Sequence, residues 1–89
     1  MNSTILVVFT IHTDNFPHNI EDIMMHERQV VDRWKQEGIL EHLYLRPTKN
    51  GAVMMFPNAS EAAVKKLIES LPLYQFVQSV EYYPLLQQF

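Results

Sequence analysis

Along the chain, apolar and polar positions alternate with a period that switches between that of a strand and that of a helix. "STILVVFTIH", Ser3 to His12, is apolar at both odd and even positions and rich in β-branched residues, which predicts a strand covered on both faces. "TDNFPHN" follows as a polar, Pro-containing loop. The period then lengthens: Ile20, Ile23, Met24, Val30, Val31 and Trp34 recur at helical spacing and form one apolar stripe. Asn19 with Asp22 predicts the start of this helix as a loose capping box, and Gly38 predicts its end after about Glu37. "ILEHLYLRP", Ile39 to Pro47, reads as a second strand, and the Asn50-Gly51 pair of "TKNG" predicts a tight hairpin turn into a third, "AVMMFP". Asn58 and Glu61 form a second cap pair before "EAAVKKLIESL", where Ala63, Val64, Leu67, Ile68 and Leu71 make a narrow stripe. Pro72 breaks this helix, "LPLY" turns the chain, and "FVQSVEYY" supplies a fourth strand before Pro84.

The order β-α-β-β-α-β, with right-handed crossovers, predicts an α+β, ferredoxin-like fold: a four-stranded antiparallel sheet with both helices on one face. Residues 1–89 form a single domain on this reading, since the chain is too short for two independent cores. Helices cover only one side of the sheet. The other side also receives apolar residues, Leu6 and Val8 from the first strand and Val53 and Met55 from the third. At about 25 cal/mol per Å² of apolar area, covering several hundred Å² contributes on the order of ten kcal/mol before the costs of association. A homodimer with its sheets face to face is therefore expected, with a bound ligand or further oligomer contacts as other ways to cover part of that area.

One position breaks the first helical stripe. Glu27 stands seven residues after Ile20 and seven before Trp34, on the side that presses against the sheet. An ionised carboxylate there is paired, protonated, or facing a solvated pocket, because unpartnered burial is costly. Pairing with Arg28, Arg46, His12 or His42 makes it structural. A pocket makes it a general base, since desolvation raises a carboxyl toward the pH range where it takes and returns protons. His12 ends the first strand and His42 lies in the second, so either can reach the same cavity as a proton donor or hydrogen-bond partner, whereas His18 and His26 face solvent. Tyr44 adds a hydroxyl.

Composition narrows the field of partners. A formal net charge of −3 with scattered Lys and Arg supplies no basic track for a nucleic-acid backbone. The chain has no cysteine, which removes disulfides, thiolate catalysis and Cys-based metal sites. The four histidines show no metal-ligand spacing, so no metal is expected. No Gly-rich phosphate loop or nucleophile elbow occurs. No segment approaches the roughly 20 apolar residues of a membrane span, and the Ile5–Phe9 run lacks a basic leader, so a soluble, cytoplasmic protein is expected, without nucleic acid or membrane as partner.

The run "ERQVVDRWKQEGILEHLY", followed by "SLPLY" and "YYPL", resembles the muconolactone isomerase family. The shared features are an acidic-basic pair on the first helix, a Glu-Gly helix end, a His-Leu pair in the next strand and a Leu-Pro-Leu-aromatic turn before the last. The resemblance spans nearly the whole chain. It implies a dimeric α+β barrel, in some relatives assembled into larger rings, and a role in aromatic-compound degradation by moving a double bond of a small lactone carboxylate without a cofactor. It further implies Glu27 as the proton carrier, Arg28 as the group holding the substrate carboxylate, and His42 as a polar partner; Tyr44 and His12, taken from their own positions in the chain, complete the candidate substrate-binding set. The chain departs from the family pattern at Leu45, where a basic residue follows the aromatic one. Two other readings share the scaffold: a non-catalytic dimeric domain that binds a small ligand or assembles, and a cofactor-independent monooxygenase.

Overall fold

The computed structural model describes residues 3–14, 16–48 and 50–89. Asn15 and Lys49, inside the predicted "TDNFPHN" loop and "TKNG" turn, lie outside the described residues. The elements run β1 (Ser3–Ile11), α1 (Ile20–Gln36), β2 (His42–Leu45), β3 (Gly51–Pro57), α2 (Glu61–Glu69) and β4 (Val77–Leu86), with a 3-10 turn at Pro72–Phe76 leading into β4. All pairings are antiparallel and the sheet order is β2-β3-β1-β4, the ferredoxin-like arrangement. No helix of the described residues is long and apolar enough to cross a membrane.

Strand alternation sorts the apolar residues into two faces. Ile5, Val7, Phe9 and Ile11 of β1 and Ala52, Met54 and Phe56 of β3 are buried. They share one core with Val31 and Trp34 of α1 and Val64 and Ile68 of α2, so both helices lie on this face. Trp34 meets Phe56 edge-on at 5.8 Å. The intervening residues Leu6, Val8, Val53 and Met55 are only partly covered. Register places Leu6 opposite Met55 and Val8 opposite Val53, making a continuous apolar strip on the helix-free face.

Helix α1 ends as Gly38 predicts. Its φ of 75° allows the Ile39 and Gly38 N–H groups to bond the Trp34 and Lys35 carbonyls at 2.9 and 3.2 Å, a Schellman ending. Ile39 and Leu40 thereby belong to the helix end, and β2 is shorter than the predicted Ile39–Pro47. The helix starts differ from expectation. Asn19 makes no side-chain cap bond, leaving the first-turn carboxylates Glu21 and Asp22 to complement the helix dipole. Ser60, not Asn58, caps α2, its Oγ accepting from the Ala63 N–H at 3.1 Å. Asn58 instead takes a left-handed φ of 53° and donates its N–H to the Ser3 carbonyl at 2.8 Å. β4 runs on through Pro84, which an edge strand tolerates because one side of its backbone needs no partner.

β2 and β3 form the predicted hairpin, but Gly51 of the "TKNG" stretch already belongs to β3, where its carbonyl accepts from the Arg46 N–H at 3.1 Å. Glycine is required there for a different reason: a Cβ would overlap the Phe9 carbonyl oxygen and lie 3.2 Å from Thr10 Cα, both backbone atoms of the adjoining strand. Gly51→Ala is therefore expected to destabilise the protein by about 1–3 kcal/mol, the usual range for overpacking. Thermal or urea denaturation of the variant measures it.

Candidate active site

The apolar stripe of α1 carries Glu27 inward as its spacing predicts: Glu27, Val31 and Trp34 are the helix's buried residues. Met24 departs from the stripe at 43 % exposure, because it borders a cavity rather than packed core. This cavity, about 780 Å³, lies between α1 and the β2–β3 end of the sheet. Phe9, Ile11, Val31, Leu43, Leu45 and Met54 supply much of its apolar wall.

Glu27 is 9 % exposed and lines the same cavity. Its Oε1 accepts a hydrogen bond from the Leu73 backbone N–H at 3.0 Å. The donor is available for a local reason. Pro72 begins the 3-10 turn and has no N–H of its own, and the next N–H, in the first turn, has no carbonyl behind it to bond. Among the described residues, no buried side-chain oxygen or nitrogen lacks a partner. Among the described residues Oε2 has no hydrogen-bond partner, so it is not sealed in the core.

Desolvation raises the Glu27 carboxyl above its ordinary 4.5, opposed by the Leu73 hydrogen bond and the nearby His26 charge. None of the suggested side-chain partners ties it down: among the described residues its hydrogen bond is to backbone. Arg28 pairs instead with Asp32 at 3.5 Å, one helical turn on. Its side chain is 79 % exposed and borders the cavity at the rim. Arg46 donates to Thr10 Oγ1 at 2.7 Å.

The two strand histidines do not join Glu27 at one point. His12 is exposed and outside the cavity lining, and its backbone N–H donates to the Phe76 carbonyl at 2.8 Å. His42 touches the cavity, but it pairs with Met55 in register and stacks on Tyr44 with ring centroids 6.0 Å apart. Both rings therefore belong to the helix-free face, while Leu43 and Leu45 turn toward Glu27. His42 also lies 3.3 Å from Glu41. Tyr44 lines a shallow groove on that other face, with Met55 and Leu85, rather than the Glu27 cavity. His18 and His26 are exposed. The sequence singles out neither the Leu73 N–H nor Lys35 as cavity groups, and Arg46 only as a pairing partner for Glu27. Nothing local flags the first, since backbone donors are invisible until tertiary contacts form. Among the described residues, no group of three or more His, Asp or Glu could hold a metal ion.

A site of this kind can hold a small, mostly apolar molecule against one protected carboxylate. The solved structures with this fold include a crystal structure of muconolactone isomerase, at a TM-score of 0.74 and 19% identity, covering 99% of this chain and 91% of that one. They also include a putative antibiotic biosynthesis monooxygenase from Bacteriodes thetaiotaomicron VPI-5482, at a TM-score of 0.60 and 18% identity, covering 99% and 90%. At such identities the likeness is one of fold. A comparison with curated proteins gives no match. The sequence pattern of one family, muconolactone delta-isomerase, matches residues 5–88. That match takes in Glu27, the Leu-Pro-Leu-aromatic turn that hydrogen-bonds it and almost everything between the chain ends, and the chain belongs to the muconolactone delta-isomerase family.

Proposed function

We propose that the protein is a cofactor-free isomerase that shifts a carbon–carbon double bond in a small unsaturated lactone carboxylate of the muconolactone kind, in aromatic-compound degradation, with Glu27 as the proton carrier. One observation carries the proposal: a carboxylate 9 % exposed on a helix, held at Oε1 by a backbone N–H and lining an apolar cavity. Family membership supplies the reaction class.

In this reading the carboxylate removes the proton on the saturated ring carbon beyond the double bond, which is conjugated through that bond with the lactone carbonyl, and the electron pair of that C–H bond enters a dienolate. The same carboxyl then returns a proton two carbons further along the conjugated system, moving the double bond without net oxidation or hydrolysis. Burial helps both halves, because a carboxyl raised toward neutrality is a stronger base when ionised and still an acid when protonated. The Leu73 N–H fixes the headgroup so that each transfer occurs from one position. A non-catalytic ligand-binding domain would use the same cavity without proton exchange. The monooxygenase reading draws only on a shared fold.

The apolar strip of Leu6, Val8, Val53 and Met55 supports a homodimer closed through the helix-free face, with His42 and Tyr44 at its margin. Val8→Glu puts a charge at the centre of that strip and is expected to yield a monomer in sedimentation equilibrium, under conditions where the native chain is expected to sediment as a dimer.

Gln keeps an oxygen for the Leu73 N–H but takes no proton, so Glu27→Gln is expected to stay folded and lose at least about 100-fold in rate. Exchange of ring protons of muconolactone in D2O, followed by NMR, measures it. Full exchange in the folded variant removes Glu27 as the base.

The raised carboxyl also sets opposite pH trends. Folded protein holds the Glu27 proton more tightly than unfolded chain, so this stabilisation is complete below about 4.5 and is lost as pH rises through the folded-state value. The melting-temperature advantage of native protein over Glu27→Gln is expected to shrink across that rise. Exchange activity is expected to climb over the same interval, as the base form appears.

A further inference from the structure

Three cations, Arg28, Lys35 and Arg46, border the Glu27 cavity. The sheet decides the fate of the last. Arg46 donates Nη1 to Thr10 Oγ1 at 2.7 Å, and Thr10 alternates in β1 with the core residues Phe9 and Ile11, so this guanidinium lies on the helix-free face. The β2 residues of the opposite parity, Leu43 and Leu45, are uncharged. Among the described residues, a cation that shares a ligand with Glu27 therefore comes from α1.

On α1, Glu27, Val31 and Lys35 follow one another at intervals of four residues, and all three line the cavity. Each such step turns about 40° around the helix, so the row drifts from the buried face at Glu27 to its margin at Lys35. Glu27 and Val31 are accordingly buried and Lys35 is exposed. Helical side chains lean toward the N-terminus, which lays the apolar stem of Lys35 over the turn that holds Val31 and leaves its ammonium at the cavity mouth. Arg28 is placed differently. It stands about 100° from Glu27 on the helix and pairs with Asp32 at 3.5 Å. Asp32 is also the carboxylate three residues before Lys35, its natural helical partner. With Asp32 taken by Arg28, Lys35 forms no ion pair among the described residues.

We infer that the Lys35 ammonium binds the carboxylate of the ligand at the mouth of the Glu27 cavity. The inference deepens the isomerase reading and rests on it for the identity of the ligand. A small lactone carboxylate has an apolar ring and one permanent charge. Drawing that charge into an apolar interior is costly, so the ring enters and the carboxylate stays at the rim, within reach of both ammonium and water. Glu27 and Lys35 lie about 12 Å apart along the helix axis at Cα, and the long Lys35 stem shortens that gap toward the length of one small ligand. The cavity thereby gains a direction along α1, with the permanent charge held near the end of the helix and the reacting carbons two turns earlier. This displaces Arg28 from the anchoring role that the resemblance implies, since its guanidinium is already paired with Asp32.

The test is a binding series by isothermal titration calorimetry, with muconolactone, sorbate and benzoate each set beside its methyl ester. The native protein is expected to bind at least one acid more tightly than its ester. For that acid, Lys35→Gln is expected to weaken binding about fivefold while ester binding stays unchanged, and added salt is expected to shrink the native preference toward that of the variant. Arg33→Gln removes an equal charge from the same last turn of α1, outside the cavity lining, and is expected to change neither acid nor ester binding. Arg28→Gln combined with Asp32→Asn removes the neighbouring pair without altering net charge and is expected to leave the acid preference in place. The inference is overturned if the native protein shows no acid preference in any pair, if Lys35→Gln keeps it, or if Arg33→Gln or the double variant abolishes it as fully as Lys35→Gln does. Acid preference that depends on Lys35, in a protein with no Glu27-dependent proton exchange, upholds this inference and removes the isomerase reading. Glu27-dependent exchange with acid binding indifferent to Lys35 does the reverse.

Discussion

The hydrogen bond from the Leu73 N–H to Glu27 Oε1 joins the two halves of the fold at the point where chemistry is available. Its acceptor comes from the first crossover helix and its donor from the turn that leads into the last strand, 46 residues later. Each side solves a problem for the other. The 3-10 turn begins with Pro72 and leaves an N–H that must be satisfied, and a carboxylate displaced from water needs a donor. The bond satisfies one oxygen only. A second donor would lower the carboxyl's proton affinity and close its approach to the cavity, converting a reactive group into a structural one.

This constraint gives physical content to the family pattern. The helix carboxylate and the Leu-Pro-Leu-aromatic turn look like separate motifs in the sequence, yet the structure makes them one unit. Leu71 is buried in the core, Pro72 sets the turn, and Leu73 contributes the backbone donor and part of the cavity wall. The side chains around Leu73 are thus selected by packing and turn geometry, while its function at the site resides in its backbone. Such a role leaves no trace in residue chemistry.

The architecture was largely legible because periodicity encodes it. Ile5, Val7, Phe9 and Ile11 alternate with Leu6 and Val8, and the two sets separate onto helix-covered and helix-free faces. The inward position of Glu27 follows from the spacing of Ile20 and Trp34. Boundaries that depend on particular hydrogen bonds were less legible: Ser60 outcompetes Asn58 as a cap because Asn58 is drawn into a left-handed turn against Ser3. Gly51 carries a turn signal in the sequence but is needed for the close passage of β1. At the site, strand parity held information that residue chemistry obscured. His42 and Tyr44 share the face of Met55 and Val53, whereas Leu43 and Leu45 share that of Met54 and Ala52. Counting from the β3 core residues separates both rings from Glu27, but only once the register is known.

That parity also governs how a small domain divides its surface between assembly and chemistry. Every β2 residue that turns toward the cavity is lost to the helix-free face, and every one that turns away is lost to the cavity. The polar aromatic pair His42 and Tyr44 falls at the margin of the apolar strip, where a rim between subunits accepts polar groups more readily than its centre. Leu43 and Leu45, of opposite parity, contribute to the apolar lining of the cavity that Glu27 borders. Arg46 continues the parity of His42 and Tyr44: its guanidinium is bonded to Thr10, which alternates with the core residues Phe9 and Ile11 of β1, so it lies on the helix-free face.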